Sequence, residues 1–497
     1  MHLVDHLSSS PYSAVLGFAF FSYAIAAVRK RNSPLDKIPT VGPSGVLTSW
    51  IGAMRSFRHG PLMIQEGSEK YPIFKIPTFS SWLLVVAGPE LLEDMRKASD
   101  EQISFLAALD ASVQFDHTIS PRLRADDAHI RVIRGVMTKN IGARYPDVLD
   151  EMNKTLESLL AGADKDWLHL TAFPSALQIV SRLSARFFSG PVLSSNPKYT
   201  EIMEKFAVHV VKDGGMLSLL PGWLRPFVSR IQFDTEGNIR EIEEYLRPIL
   251  AERLERGDME NPDADSNDLI TWLWNAAPEA QRTLHDIAIR IIWLNVAAIR
   301  TTSAILTHVL FDLAIYKSYI EPLREEISTI VEAEGWNKVS IEKMKKLDSF
   351  MKESQRVHGS DAVMSDRLAV SDFTFSDGTF IPKGTRFAVA GHAINHDKRI
   401  YSNPYEFQGF RYVDMDPSKW QLASLSLEFM GFGIGKRACP GRFFAATELK
   451  TAVARILLDY DIKLTDEKAG RPKDFLGMFM EPGAKAKFSF KRRVPIK

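Results

Sequence analysis

The sequence predicts a mainly α-helical fold with a small β region, and three observations carry that class. From Pro89 onward apolar residues recur at spacings of three and four, the period of a helix face. Ile287 to Leu313 is a largely apolar helical stretch that would run about 40 Å at 1.5 Å per residue. A helix apolar on most faces is normally buried, so this one is expected to cross the core. Only two short stretches read as strands: the β-branched, alternating segment around Phe74 to Val86, and Phe373 to Gly384, a hairpin turning at Asp377-Gly378.

Ahead of these elements, Pro11 to Val28 reads PYSAVLGFAFFSYAIAAV without a charge. As a helix it would span about 27 Å, matching the thinner endoplasmic reticulum bilayer. Arg29-Lys30-Arg31 follow it and no Lys or Arg precedes it, so the positive-inside rule places the bulk of the chain in the cytosol. Residues 1–31 are therefore expected to form a single-pass signal-anchor and its basic stop. A cleaved signal peptide would want its positive charge in front. Residues 32–48, with Pro34, Pro39, Pro43, Gly42 and Gly45, read as a stiff, non-helical linker, and 49–497 as one large fold. Leu217, Leu219, Leu220, Trp223 and Leu224 form a second apolar stretch that could dip into a bilayer or pack inside the globule. Glu255 to Asn267 is acidic and reads as a solvent loop.

At 45% hydrophobic and 25% charged residues, the chain can bury a large core. The formal net charge is +1 and the basic residues are spread along the chain, which argues against a nucleic-acid partner. One cysteine, Cys439, cannot make an internal disulfide.

Cys439 closes the run Phe432-Gly433-Ile434-Gly435-Lys436-Arg437-Ala438-Cys439-Pro440-Gly441, and Arg442 to Leu449 continues as good helix. Pro440 suits a first helical turn, so Cys439 is expected at an N-cap. There the free N–H groups and the helix dipole would lower the thiol pKa and favour the metal-binding thiolate. Gly433 and Gly435 allow a tight turn against something flat, Phe432 can shield a sulfur–metal bond, and Arg437 suits a carboxylate. No CxxC, HExxH or His-rich tract supplies companion ligands, which argues against a closed zinc site, while one thiolate and a flat, carboxylate-bearing partner describe haem. The glycines match neither a dinucleotide fingerprint nor a P-loop.

This run resembles the haem-binding loop of the cytochrome P450 superfamily, Phe-x-x-Gly-x-Arg-x-Cys-x-Gly, with Phe432, Gly435, Arg437, Cys439 and Gly441 in place. The resemblance implies the cytochrome P450 fold, haem b with Cys439 as its iron ligand, O2 as co-substrate, and a separate NADPH–cytochrome P450 reductase as electron donor. It extends over nearly the whole chain. Glu353 and Arg356 match the family's Glu-x-x-Arg, and Phe407-Gln408-Gly409-Phe410-Arg411 is similar to the segment that supplies a third partner to a buried network. Ala297-Ala298-Ile299-Arg300-Thr301-Thr302 resembles the oxygen-binding segment, making Thr301 the proton-relay candidate. Its hydroxyl can bond back to the carbonyl four residues earlier. Arg300 stands where the family has an acid, and a guanidinium is no proton donor near neutral pH. The propionate partners implied are Arg437, Arg367 and Arg134, although Ile130 replaces the tryptophan of the family's Trp-x-x-x-Arg.

Leu294, Ala297 and Ala298 on the Thr301 face, Ala362-Val363-Met364 and Met478-Phe479-Met480 are apolar and would suit a lipophilic substrate. Sequence texture is similar to fungal microsomal members of specialised metabolism, so the expected reading is a membrane-anchored monooxygenase of a terpenoid-type substrate. A haem-thiolate isomerase or dehydratase, which needs no reductase, and a non-catalytic haem protein remain the alternatives.

Overall fold

The structure, a computed structural model, describes residues 34–493 apart from 46–47, 80, 233, 263–265, 417–418, 420, 469, 472–476, 479, 481–482 and 484. The expected anchor and basic stop, the first residues of the linker, and Phe479 lie outside the described residues.

The strands among the described residues are β1 (Ile73–Pro77), β2 (Trp82–Val86), β3 (Ile103–Ser104), β4 (Leu168–Thr171), β5 (Met364–Ala369), β6 (Phe373–Thr374), β7 (Phe380–Ile381), β8 (Arg386–Val389), β9 (Tyr460–Leu464) and β10 (Lys487–Arg492). They form sheets in the orders β1-β2-β8-β5-β3, β4-β10-β9 and β6-β7. β1 and β2 fall in the segment expected to form strands and pair as an antiparallel hairpin, Ile73 with Val86 and Phe74 with Val85. Because side chains alternate across a strand, Ile73, Leu84, Val86, Phe387 and Val389 pack one face with Leu91, Leu92 and Ile434. Phe74, Ile76, Leu83, Val85 and Ala388 pack the other with Met63 and Ile64. Burial on both faces is why apolar residues occupy both registers of these strands, beyond the alternation read from the sequence. β6 and β7 are the expected second hairpin, with Gly378 at φ +84° in its turn.

From Pro34 the linker lies against this sheet. Residues Pro34–Lys37 form a short 3-10 turn, Lys75 donates its backbone N–H to Pro39 O at 2.8 Å, and its buried ammonium reaches Leu35 O at 2.5 Å.

The helices that position the site are α1 (Ser49–Lys70), α2 (Phe105–Val113), α3 (Ala172–Ser194), α4 (Pro197–Ser218), α5 (Arg225–Gln232), α6 (Leu284–Ile315), α7 (Lys345–His358) and α8 (Arg442–Asp459). α6 is the predicted core-crossing helix. Thr283 caps it by accepting the Asp286 N–H at 3.2 Å, and its apolar faces join α3 and α8 in the main hydrophobic core. Among the described residues it is also the one helix long and apolar enough to cross a membrane, and most of it is buried inside the protein.

Candidate functional site

The loop before α8 is folded around Cys439. The Cys439 backbone N–H donates to Phe432 O at 2.8 Å, closing the loop on itself, and Phe432 is buried in the main core. Gly433 and Gly435 adopt φ +75° and +62°, where a side chain is strained. A Cβ on Gly435 would also come within 2.7 Å of Arg96 Cγ. The N-cap of α8 is Gly441, so Cys439 precedes the cap by two residues instead of occupying it. Pro440 lies in the turn before the helix, which explains the displacement.

The thiol nevertheless meets the helix start, where the N–H groups of Gly441 and Arg442 and the Arg442 charge favour the thiolate. They do not prevail: burial pushes the thiol up from its ordinary value, contrary to the lowering expected from the sequence. Cys439 is nevertheless an exposed residue of the loop.

Beside the loop, a cavity of about 770 Å³ is lined by Arg134, Arg367 and Arg437 together with Asp100 and Pro440, so the three arginines nominated from the sequence meet in one place. Arg437 pairs with Asp100, its Nε 2.6 Å from Oδ1. Arg134 lies in a wide π-helical turn, Ile133–Met137, and its Nη2 donates to Lys436 O at 2.6 Å. Arg367 is 3% exposed, and its Nη1 donates to the backbone oxygen of Asp366 at 2.7 Å, while the Asp366 carboxylate is bound by Arg386. Burial pulls the Arg367 guanidinium down to about 10. A buried guanidinium held by a backbone carbonyl, with two further arginines in the same cavity, fits a dianionic group.

In α6 the backbone stays helical throughout, while Ile299, Thr302 and Ser303 are buried and Ala297 and Thr301 are exposed, with Ala298 and Arg300 half-buried. This stripe is where the core helix opens. Thr301 Oγ1 donates to Ala297 O at 2.9 Å, the back-bond expected, leaving its lone pairs to accept from water or ligand. Ala298 and Phe432 pack on the same core, so the open stripe and the Cys loop share one scaffold. Leu294 and Ala362 are buried, and Val363, Met364 and Met478 half-buried.

Behind the loop, Glu353 in α7 is fully buried between two guanidiniums. Arg356 binds it in two places, Nε at 2.7 Å and Nη2 at 2.8 Å, and Arg411 Nε lies 3.1 Å from both carboxylate oxygens. The Gln408 N–H adds a fifth bond at 2.9 Å. Arg356 also donates to Asn395 O at 2.7 Å and Pro404 O at 2.6 Å, tying α7 to the segment that leads into the Cys loop.

Sequence reasoning missed Asp100, an ordinary loop acid whose partner is 337 residues away, and Ser365. The register of β5 on β8 shifts between Met364 and Arg367, and Ser365 sits at φ +52° in that irregularity, its Oγ against Gly433. Such a bulge re-aims the following side chain, Arg367, and leaves no mark in composition.

Residues 43–490 match the family model for cytochrome P450. The chain is 37% identical to cytochrome P450 monooxygenase 103 of Postia placenta, over 98% of this chain and 99% of that protein. It is 39% identical to cytochrome P450 monooxygenase 110 of the same fungus, over 90% and 91%. Its identity to ent-kaurene oxidase P450-4 of Gibberella fujikuroi is 30%, over 93% and 94%. The chain belongs to the cytochrome P450 family of monooxygenases. Members of the family hold haem iron through a cysteine thiolate and generally draw electrons from a reductase to use O2.

Proposed function

We propose that this chain is an endoplasmic reticulum monooxygenase that oxidises a lipophilic, terpenoid-type substrate, with Cys439 as its iron ligand. The observation that carries it is the exposed residue Cys439 on a closed, two-glycine loop beside a cavity where Arg134, Arg367 and Arg437 converge. The haem supplies O2 activation and insertion of one oxygen atom into a C–H bond when bound. Arg367, Arg134 and Arg437 would hold its carboxylates; Arg437 is paired with Asp100 in this structure. Phe432 excludes water from the sulfur, and Gly435 and Gly441 shape the turn on either side of it. Thr301 Oγ1, its proton held by Ala297 O, would accept a hydrogen bond from a water and so position that water, whose second O–H would be the proton source in the site.

The substrate class is supported by the apolar segments around Thr301 and by a relative named for a terpenoid, ent-kaurene. Membrane attachment is supported by the uncharged stretch in residues 11–28 and by outward apolar side chains: Ile51, Met54, Phe57 and Leu62 on α1, Leu219 and Trp223 after α4, and Phe227 and Ile231 on α5. Leu217 is buried and packs inside. The domain order is then anchor 1–31, linker 32–48 and catalytic fold 49–497, with the fold in the cytosol facing a reductase.

The test is the reduced, carbon-monoxide-bound spectrum. Wild-type protein should show the red-shifted Soret band of a thiolate ligand and Cys439→Ser should lose it; a histidine-type spectrum in the wild type would overturn the assignment. Terpenoid scaffolds fed to cells with and without a co-expressed reductase then identify the product, and reductase-independent turnover would point to an isomerase.

A further inference from the structure

The three arginines of the cavity beside the Cys loop keep unequal company. Arg134 Nη2 donates to Lys436 O and Arg367 Nη1 to Asp366 O, both uncharged backbone acceptors, so these two guanidiniums keep their full charge. The Asp366 carboxylate is bound by Arg386 instead. The cavity also has Asp127 in its lining, and that acid is bound by Arg131. Among the described residues, Asp100 is thus the one carboxylate paired with a member of the trio. It takes Arg437 side-on, with Nε 2.6 Å from Oδ1 and Nη2 against Oδ2, which leaves Nη1 for a second anion.

The chain gives Asp100 little freedom to be elsewhere. It sits in the turn that joins the helix Pro89–Lys97 to β3. The Ala98 N–H closes that helix on Asp94 O at 2.9 Å, and the Gln102 and Ile103 N–H groups both donate to Ser99 O, at 3.1 and 2.9 Å. β3 then pairs Ile103 with Ala369 and Ser104 with Leu368 of β5, the strand that carries Arg367. On its other side the same segment packs against the Cys loop through Arg96 and Gly435. A turn held at both ends presents its carboxylate with little left to order, unlike an ion pair between two free surface side chains. The pair therefore belongs to the wall of the cavity, and its net charge is close to zero where an unpaired Arg437 would contribute a full cation.

We infer that Asp100 is a positioning residue that acts through Arg437: it fixes the guanidinium side-on and offsets its charge, and so lowers the reduction potential of the haem iron. An electron added to the iron is a negative charge, which nearby cations favour and nearby anions oppose. This role rests on the haem-site reading above, and the experiment separates the two. Asp100→Asn keeps an oxygen for Arg437 and removes the charge; Asp100→Glu keeps the charge on a longer stem.

Full-length holoprotein of wild type and each variant is titrated with dithionite in the absence of substrate, the Soret band giving the fraction reduced and the spin state together. In Asp100→Asn the equilibrium constant for reduction should rise about 10-fold, or about 59 mV, the scale of one charge left unbalanced in the protein. Salt on the order of 1 M should shrink that difference, because the side chains of Arg437 and Asp100 are 30% and 38% exposed. Asp100→Glu should stay within about twofold of wild type. An unchanged potential in Asp100→Asn, or an equal rise in the Asn and Glu variants, overturns the inference. So does loss of the thiolate carbon-monoxide band in both variants, which would make Asp100 a structural residue of the turn. A failed haem-site reading shows itself separately, as absence of that band in the wild type.

Discussion

Glu448 in α8 should be a carboxyl the fold would rather hold neutral, and replacing it tests that reasoning. It is buried, Oε1 accepts from Ser184 Oγ at 3.2 Å, and Oε2 has no partner. Burial pushes its carboxyl up to about 8, the Ser184 hydrogen bond opposing only weakly. The native pKa lies above the unfolded value near 4.5, so between those two values the native state binds more protons than the unfolded one. Stability therefore falls as pH rises from about 4.5 to about 8, at about 1.4 kcal/mol per unit. At pH 7 wild type has lost about 3 kcal/mol of its low-pH stability by this route. Glu448→Gln cannot ionise, but its extra buried N–H costs about 1–2 kcal/mol. The variant should be less stable than wild type at pH 5, equal near pH 6, and more stable by roughly 1–2 kcal/mol at pH 7. Urea unfolding of holoprotein, followed by far-ultraviolet circular dichroism between pH 5 and 8.5, measures this. Two curves that run parallel, separated by a constant at every pH, would refute the buried neutral carboxyl.

Glu353→Gln removes the charge between Arg356 and Arg411 and should cost about 3–5 kcal/mol, measured as a lower urea midpoint and a smaller yield of haem-loaded protein. Thr301→Ala should keep the haem spectrum and lower product per NADPH by about 10-fold, the excess electrons appearing as peroxide, while Thr302→Ala, buried in the helix, does less. In the same assay Arg300→Ala should leave coupling unchanged if the half-buried guanidinium faces away from the haem site, and a large loss would make it a functional substitute for the family's acid. Burial holds His129 and His396 down at about 4 and His308 at about 3, so the unfolded chain takes up these protons first and stability falls below about pH 6.5. Each imidazole costs about 2 kcal/mol at pH 5, and a midpoint series in acid should be steeper in Glu448→Gln, where the opposing carboxyl is gone.

What the sequence made legible is what a short stretch of chain decides by itself. The Cys loop is ten consecutive residues, Glu353 and Arg356 share one helix face, and the Thr301 back-bond closes within a single turn. Arg411 could be nominated because its segment travels with a pattern. What stayed hidden is pairing across the chain. Asp100 on Arg437, Met480 on His308 and Ser184 on Glu448 are each decided by which helices and loops meet, and none has a local signal. The thiol shows the same limit in energetic form: helix-start N–H groups can be read from Pro440 and the helical run after it, but desolvation outweighs them, and burial depends on the whole fold.

The parallel pairing of β2 with β8 also sets a timetable for synthesis. The β1–β2 hairpin is complete at Val86, yet the strand that covers the open edge of β2 begins at Arg386. At about 5–20 residues per second, the roughly 300 residues between them occupy on the order of 15–60 s of translation. For that interval the nascent chain presents a bare strand edge with apolar side chains on both faces, the arrangement most prone to pairing with a neighbour. Expression hosts that elongate slowly or lack chaperones at the ribosome should lose this protein to aggregation at that stage, and fragments ending before Val389 should be insoluble however well their own helices form.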